Sequence, residues 1–328
     1  MKPTSAQHGW TTETGSTMVS IGTHSLYMSI TGAVRQPGDP IVVIIAGAGD
    51  VASSYVALEP LVSSFSRILI YDRSGLGQSQ STPPPPPTDP SAVRAAEELR
   101  MPLQAADISP PLLLMGHSYG GIVAREFLHL YADEVAGMVL CDAATERTHE
   151  YFRLHDPNIV AVMGDLKYAD VTGLRANSKL SREQWRTRAI EISNSVAATR
   201  AEAATYVDVC ETLKAKEQYR NKALGSKPLS VICANSAQDY ERIYEKGVEA
   251  GNGTQEQRRA FHELLDRWDT TNRMLQEEQL QLSSNAHLIP IPDCGHNVHL
   301  VRPDVLADEI RWVWEKILET SDQPTESI

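Results

Sequence analysis

The sequence predicts an α/β protein with a mostly parallel central sheet, helices on both faces and a helical cap inserted after the sixth strand. Three observations carry that expectation. Five short apolar runs, at residues 41–45, 68–71, 112–115, 138–141 and 229–233, show no alternation with polar residues. Strands covered on both faces read this way. Helical segments at 54–64, 92–105 and 122–132 separate the first four runs, the β-α alternation of a parallel sheet. A long stretch without a convincing strand then interrupts the pattern directly after Asp142.

In chain order, residues 1–15 are polar and read as a flexible N-terminus, followed by a core of residues 16–142 and 228–320. Residues 19–30 alternate around Gly22-Thr23, an antiparallel hairpin pattern. Pro83 to Pro87 form a stiff extended spacer. Residues 143–227 make the helical cap, with Trp185 and Ile190 among its apolar positions, and a smaller, charge-rich helical insertion covers 240–282. Residues 287–291 read as the last strand. The closing helix starts at Pro303 with Asp304 in its first turn, and Leu306, Ile310, Val313 and Ile317 share one face. The polar tail at 321–328 is expected to be flexible.

Composition limits the partners. The 328 residues include 42 acidic and 30 basic side chains, a formal charge of −12. Such a surface repels phosphate backbones and anionic lipid, so neither nucleic acid nor membrane is expected as a partner. A neutral or weakly polar small molecule is the easier one. No stretch approaches the ~20 apolar residues of a membrane span, and the first residues lack a secretory apolar region. A cytoplasmic location follows as the expectation. Four cysteines make no disulfide framework in a chain this long, and Cys141 and Cys233 end apolar runs as buried thiols. Cys294-Gly295-His296 has only His299 as a further ligand nearby, too few for a zinc site. No metal or cofactor is expected, and nothing in the sequence speaks to oligomeric state.

The chemistry centres on Gly116-His117-Ser118-Tyr119-Gly120, placed between an apolar strand and a helix. The glycines allow a strained turn that lifts the Ser118 hydroxyl clear of the sheet at a helix N-terminus, where developing negative charge is favoured. A serine nucleophile needs a base, and His296 follows the last strand on a loop able to reach back over the sheet. His299 is the less favoured base. Backbone N–H groups of Tyr119 and Ala48 are the candidate oxyanion donors, because Ala46-Gly47-Ala48-Gly49 permits close backbone approach. The chain order Ser, acid, His allows two good positions, each after an apolar strand. Asp142 ends a strand abruptly and is preferred, while Asp239 lies several residues beyond its strand and is the alternative acid.

Five segments resemble the α/β-hydrolase fold superfamily, and its cap-bearing serine hydrolase branch in particular. They are Ile45-Ala-Gly-Ala-Gly49, Tyr71-Asp-Arg-Ser-Gly-Leu-Gly-Gln-Ser79, Gly116-His-Ser-Tyr-Gly-Gly121, Val139-Leu-Cys-Asp142 and Gly295-His-Asn-Val-His-Leu300. The family often has His-Gly where this chain has Ala46-Gly47, and its usual late aspartate falls about two residues before Asp239. The resemblance implies acyl transfer by Ser118, since relatives that open epoxides or remove halides carry an aspartate there. The expected function is hydrolysis of an ester or lactone of a small, moderately apolar molecule through an acyl-enzyme. Alternatives are a lyase of hydroxynitrile or retro-aldol type, a C–C bond hydrolase using the same triad, and a non-enzymatic small-molecule receptor.

Overall fold

A computed structural model describes residue 10 and residues 12–83 and 91–321. The expected flexible ends lie largely outside these residues, as does most of the proline tract. The hairpin is β1 (Gly15–Ser20) and β2 (Ser25–Thr31). There follow β3 (Ile41–Ile45), α1 (Glu59–Val62), β4 (Arg67–Tyr71), α2 (Ser91–Ala105), β5 (Leu112–His117), α3 (Tyr119–Leu130) and β6 (Val135–Cys141). Seven helices separate β6 from β7 (Leu229–Ala234): α4 (Thr148–Tyr151), α5 (Pro157–Met163), α6 (Tyr168–Val171), α7 (Leu174–Asn177), α8 (Arg182–Asn194), α9 (Val196–Ala204) and α10 (Tyr206–Lys214). Then α11 (Ala237–Glu249) and α12 (Gln255–Gln279) precede β8 (Ala286–Ile291), and α13 (Val298–Val301) and α14 (Pro303–Ser321) close the chain.

Among the described residues the strands form one sheet in the order β1-β2-β4-β3-β5-β6-β7-β8. Pairing is antiparallel for β1 with β2 and β2 with β4, and parallel for the rest. The unbroken apolar runs have a direct cause. Side chains alternate across a strand, so Val43, Ile45 and Leu114 enter one core with Leu99 and Phe127. Val42, Ile44 and Leu113 enter another with Val62 and Ile310. Both faces are buried, and the polar strand residue Ser230 is accommodated by a hydrogen bond to Glu309 Oε2 at 2.6 Å.

Two expected elements differ in detail. Residues 54–64 are not one helix but a 3-10 turn, Ala52–Tyr55, followed by the short α1. Pro60 has no N–H to give a helix interior and is accepted only in a first turn, so the helix restarts at Glu59. The second insertion becomes helical at Ala237, which puts Asp239 in the first turn of α11 rather than on a loop.

The two insertions between strands pack together. α5 lies against both α11 and α12, and Val162 joins Ile243 and Phe261 in a small core apart from the sheet. The Trp268 ring sits 4.6 Å from Phe152 and 4.1 Å from Tyr240. The roof over the sheet is therefore built by residues from both insertions, not by 143–227 alone. Apolar positions this far above the sheet can leave water only against one another. No helix among the described residues is long and apolar enough to cross a membrane.

Candidate active site

Ser118 joins β5 to α3 with φ 53° and ψ −122°. A side chain held there costs on the order of 1–3 kcal/mol, so surrounding bonds must impose it. Ser118 N–H donates to Cys141 O (3.2 Å), and Ser118 O accepts from Gly121 N–H (3.0 Å) and Ala144 N–H (2.9 Å). The flanking glycines are steric necessities. A Cβ on Gly116 would lie 2.6 Å from Gly120 O, and one on Gly120 would lie 2.0 Å from Ile45 O. The turn is thus stitched to β6 and pressed against β3 and α3.

His296 lies on the loop after β8, and its Nδ1 is 2.6 Å from Asp142 Oδ2. Asp142 is the residue after β6, is buried, and has φ 41°. Its Oδ1 accepts from Ala234 N–H (3.2 Å) and from Asn272 Nδ2 (3.1 Å). Asp239 is also close, but its Oδ2 accepts from the backbone N–H of His296 (3.0 Å) and from the Tyr168 hydroxyl (3.1 Å). One aspartate holds the ring and the other holds the loop. Burial draws the His296 imidazole down, but the Asp142 hydrogen bond and the charges of Asp142, Asp239 and Asp50 outweigh it and raise its pKa above the usual 6.5.

Behind His296 lies a buried aromatic layer. His117 Nε2 donates to His296 O at 2.9 Å, and burial, with His299 and His296 nearby, keeps its ring well below the usual histidine pKa. His299 is fully buried and stacks on Tyr55 at 4.4 Å. Its Nε2 is 3.2 Å from Asp50 Oδ2, yet neither ring nitrogen makes a well-directed hydrogen bond among the described residues. Asp50, His117 and His299 bring ligand atoms within 4.8 Å of one another. The Arg188 guanidinium, 3.6 Å from Asp50, already supplies the positive charge there.

Ser118, Asp142 and His296 front one cavity of about 440 Å³. Apolar side chains supply much of its lining, with Phe152 and Ile159 from one insertion and Tyr240, Leu264 and Trp268 from the other, and Arg153, His155 and Asp156 add polar groups. Ala48 and Tyr119 do not line it. Tyr119 opens α3, so its N–H is one of the first-turn amides without an intrahelical acceptor. The loop carrying Ala48 passes beside the turn, since a Cβ on Gly47 would be 3.4 Å from Ser118 Cβ. Two residues that support the site escaped sequence reasoning: Asn272 and His117. His117 stands inside one of the family-like segments, whereas nothing marks Asn272 on a long polar helix.

A strained serine turn between strand and helix, with a His–Asp pair across the same cavity, defines a nucleophile-elbow protein of the α/β type. Residues 42–309 match the model of the alpha/beta hydrolase family, and the chain belongs to that family. It is 30% identical over 305 residues to a probable transporter of Hormonema carpetanum, covering 91% of this chain but 42% of that protein. It is 25% identical over 297 residues to an AB hydrolase superfamily protein of Gibberella zeae, covering 87% and 90%. In three dimensions it resembles a putative lipase from Acinetobacter baumannii, with TM-score 0.65, 16% identity and coverage of 96% and 95%. The chain thus spans less than half the length of the Hormonema protein.

Proposed function

We propose that the protein is a serine hydrolase that cleaves an ester or lactone of a small, moderately apolar molecule. The observation that carries this reading is the His296–Asp142 pair at 2.6 Å, facing the same cavity as a serine held at φ 53°. His296 takes the Ser118 proton as the hydroxyl attacks the carbonyl, and Asp142 keeps Nδ1–H in place and stabilises the imidazolium. Ala48 and Tyr119 N–H groups hold the oxyanion. The leaving alcohol takes the proton from His296, and water attacks the acyl-enzyme with His296 as base. The apolar side chains of the lining receive the substrate's carbon skeleton, at a volume usual for small-molecule pockets. Four free, buried cysteines suit a reducing compartment, and we place the protein in the cytoplasm on that ground.

A fluorophosphonate probe tests the chemistry. Wild type should be labelled and Ser118→Ala should not. Labelling that survives Ser118→Ala, or no labelling of wild type, would refute the reading. Mass analysis during ester turnover separates it from lyase chemistry, which leaves no acyl group on Ser118.

A further inference from the structure

The loop that carries the Ala48 amide is gripped from two sides. Arg73, two residues beyond β4, has a buried side chain (4% exposed). Its Nη1 donates to Ala46 O at 2.6 Å and its Nη2 to Gly47 O at 2.7 Å. Its Nε donates to Glu202 Oε1 at 2.7 Å, and Nη2 also reaches Glu202 Oε2 at 3.0 Å. Glu202 Oε2 in turn accepts from Gly49 N–H at 2.8 Å. The guanidinium also lies 5.4 Å from the centre of the Tyr119 ring.

Peptide planarity turns these contacts into control of one N–H. Gly47 C=O and Ala48 N–H belong to the same trans peptide and point in opposite directions. Holding the carbonyl on Arg73 therefore aims the amide away from Arg73. A cation on the carbonyl also polarises the peptide and strengthens its N–H as a donor. The next peptide is held as well, because Glu202 occupies Gly49 N–H. Glu202 sits on α9, in the insertion between β6 and β7, and Thr199 of the same helix packs on Gly49, where a Cβ would lie 2.5 Å from its methyl group. Ser195, at the start of α9, accepts from Gly77 N–H at 2.9 Å. This helix is seated on the core.

We propose that Arg73 and Glu202 form a positioning clamp that aims and polarises the Ala48 amide, so that the seating of α9 on the core sets the oxyanion hole. The proposal rests on the serine-hydrolase reading. The ion pair joins α9 to the loop that carries Ala48. It ties the inserted helix to the transition state without touching substrate.

The test compares full-length wild type, Arg73→Met, Arg73→Lys, Glu202→Gln and Arg73→Met/Glu202→Gln on p-nitrophenyl butyrate, with active sites counted by fluorophosphonate. Removing an oxyanion donor outright lowers kcat by about a hundred- to a thousandfold, and misaiming one should cost Arg73→Met about ten- to a hundredfold. KM and the acidic limb of the pH profile should stay in place, because His296 is untouched. The affinity of an aryl trifluoromethyl ketone, whose adduct carries the oxyanion, should fall by the same factor as kcat/KM. Arg73→Lys and Glu202→Gln should be intermediate, and the double variant no worse than Arg73→Met. Should Arg73→Met fail to fold, the near-isosteric Glu202→Gln carries the test. Variants with a lower Tm but unchanged kcat per labelled serine and unchanged ketone affinity would overturn the clamp. A wild type inert to both ester and fluorophosphonate would instead overturn the serine-hydrolase reading, and the clamp with it.

Discussion

Asp142 and Asp239 both lie near His296, and what separates them is where their oxygens go. Asp142 meets Nδ1 of the ring, whereas Asp239 meets only the backbone N–H of the same residue. On the proposed chemistry, Asp142→Asn should lower kcat by about 10⁴-fold, because an amide there selects the wrong imidazole tautomer. Asp239→Asn should cost far less, since its carboxamide oxygen can still accept from the loop. Steady-state kinetics on one ester with both variants would check this, and equal losses would contradict the assignment. The pH profile gives a second expectation. On the proposed chemistry the neutral imidazole is the base, and the His296 pKa is raised, so the acidic limb of kcat/KM should titrate above 6.5. Asp239→Asn removes one of the raising charges, and the limb should move to lower pH. The linkage runs the same way: the stabilisation from His296 protonation is complete below about 6.5 and disappears as pH rises through its folded pKa.

At the level of elements, α3 does more than begin with the serine turn. Arg125, fully buried on its inner face, donates to both Glu146 oxygens at 2.5 and 3.1 Å and to Gln218 Oε1 at 2.9 Å. These bonds tie the helix that follows Ser118 to both ends of the insertion between β6 and β7. Glu146→Ala would leave a guanidinium buried without its counter-charge, and stability should fall by about 3–5 kcal/mol. Denaturant unfolding measures it, and a change below 1 kcal/mol would contradict the structural role. The elements differ in how openly the sequence declares them. Strands β3 to β7 read directly because two-sided burial makes nearly every position apolar, with Arg67, His117 and Ser230 the buried polar exceptions. The restart at α1 was hidden, since Pro60 looks like an interior residue until the turn before it is seen. The start of α11 carries a capping signature, Ser236 with Asp239 three residues on, but no side-chain cap bond forms there and Ser236 Oγ instead accepts from Trp268 Nε1 at 3.0 Å.

For the whole molecule, the sequence by itself determined the sheet, its helical layers, the chain order of serine, acid and histidine, and the turn at Ser118. All of these depend on local patterning: unbroken apolar runs, glycines beside a serine, a histidine after the last strand. Tertiary structure alone decided which aspartate faces the imidazole, because that depends on where β6, β7 and β8 end side by side rather than on spacing along the chain. It also decided that residues of both insertions wall the cavity, through α5 packing on α11 and α12. Asn272 reaches Asp142 across 130 residues, and Arg73 reaches Glu202 across 129. A polar side chain on a solvated helix and one that completes a buried network look alike in sequence. Only the close packing of distant segments distinguishes them, by removing the water that would otherwise satisfy either.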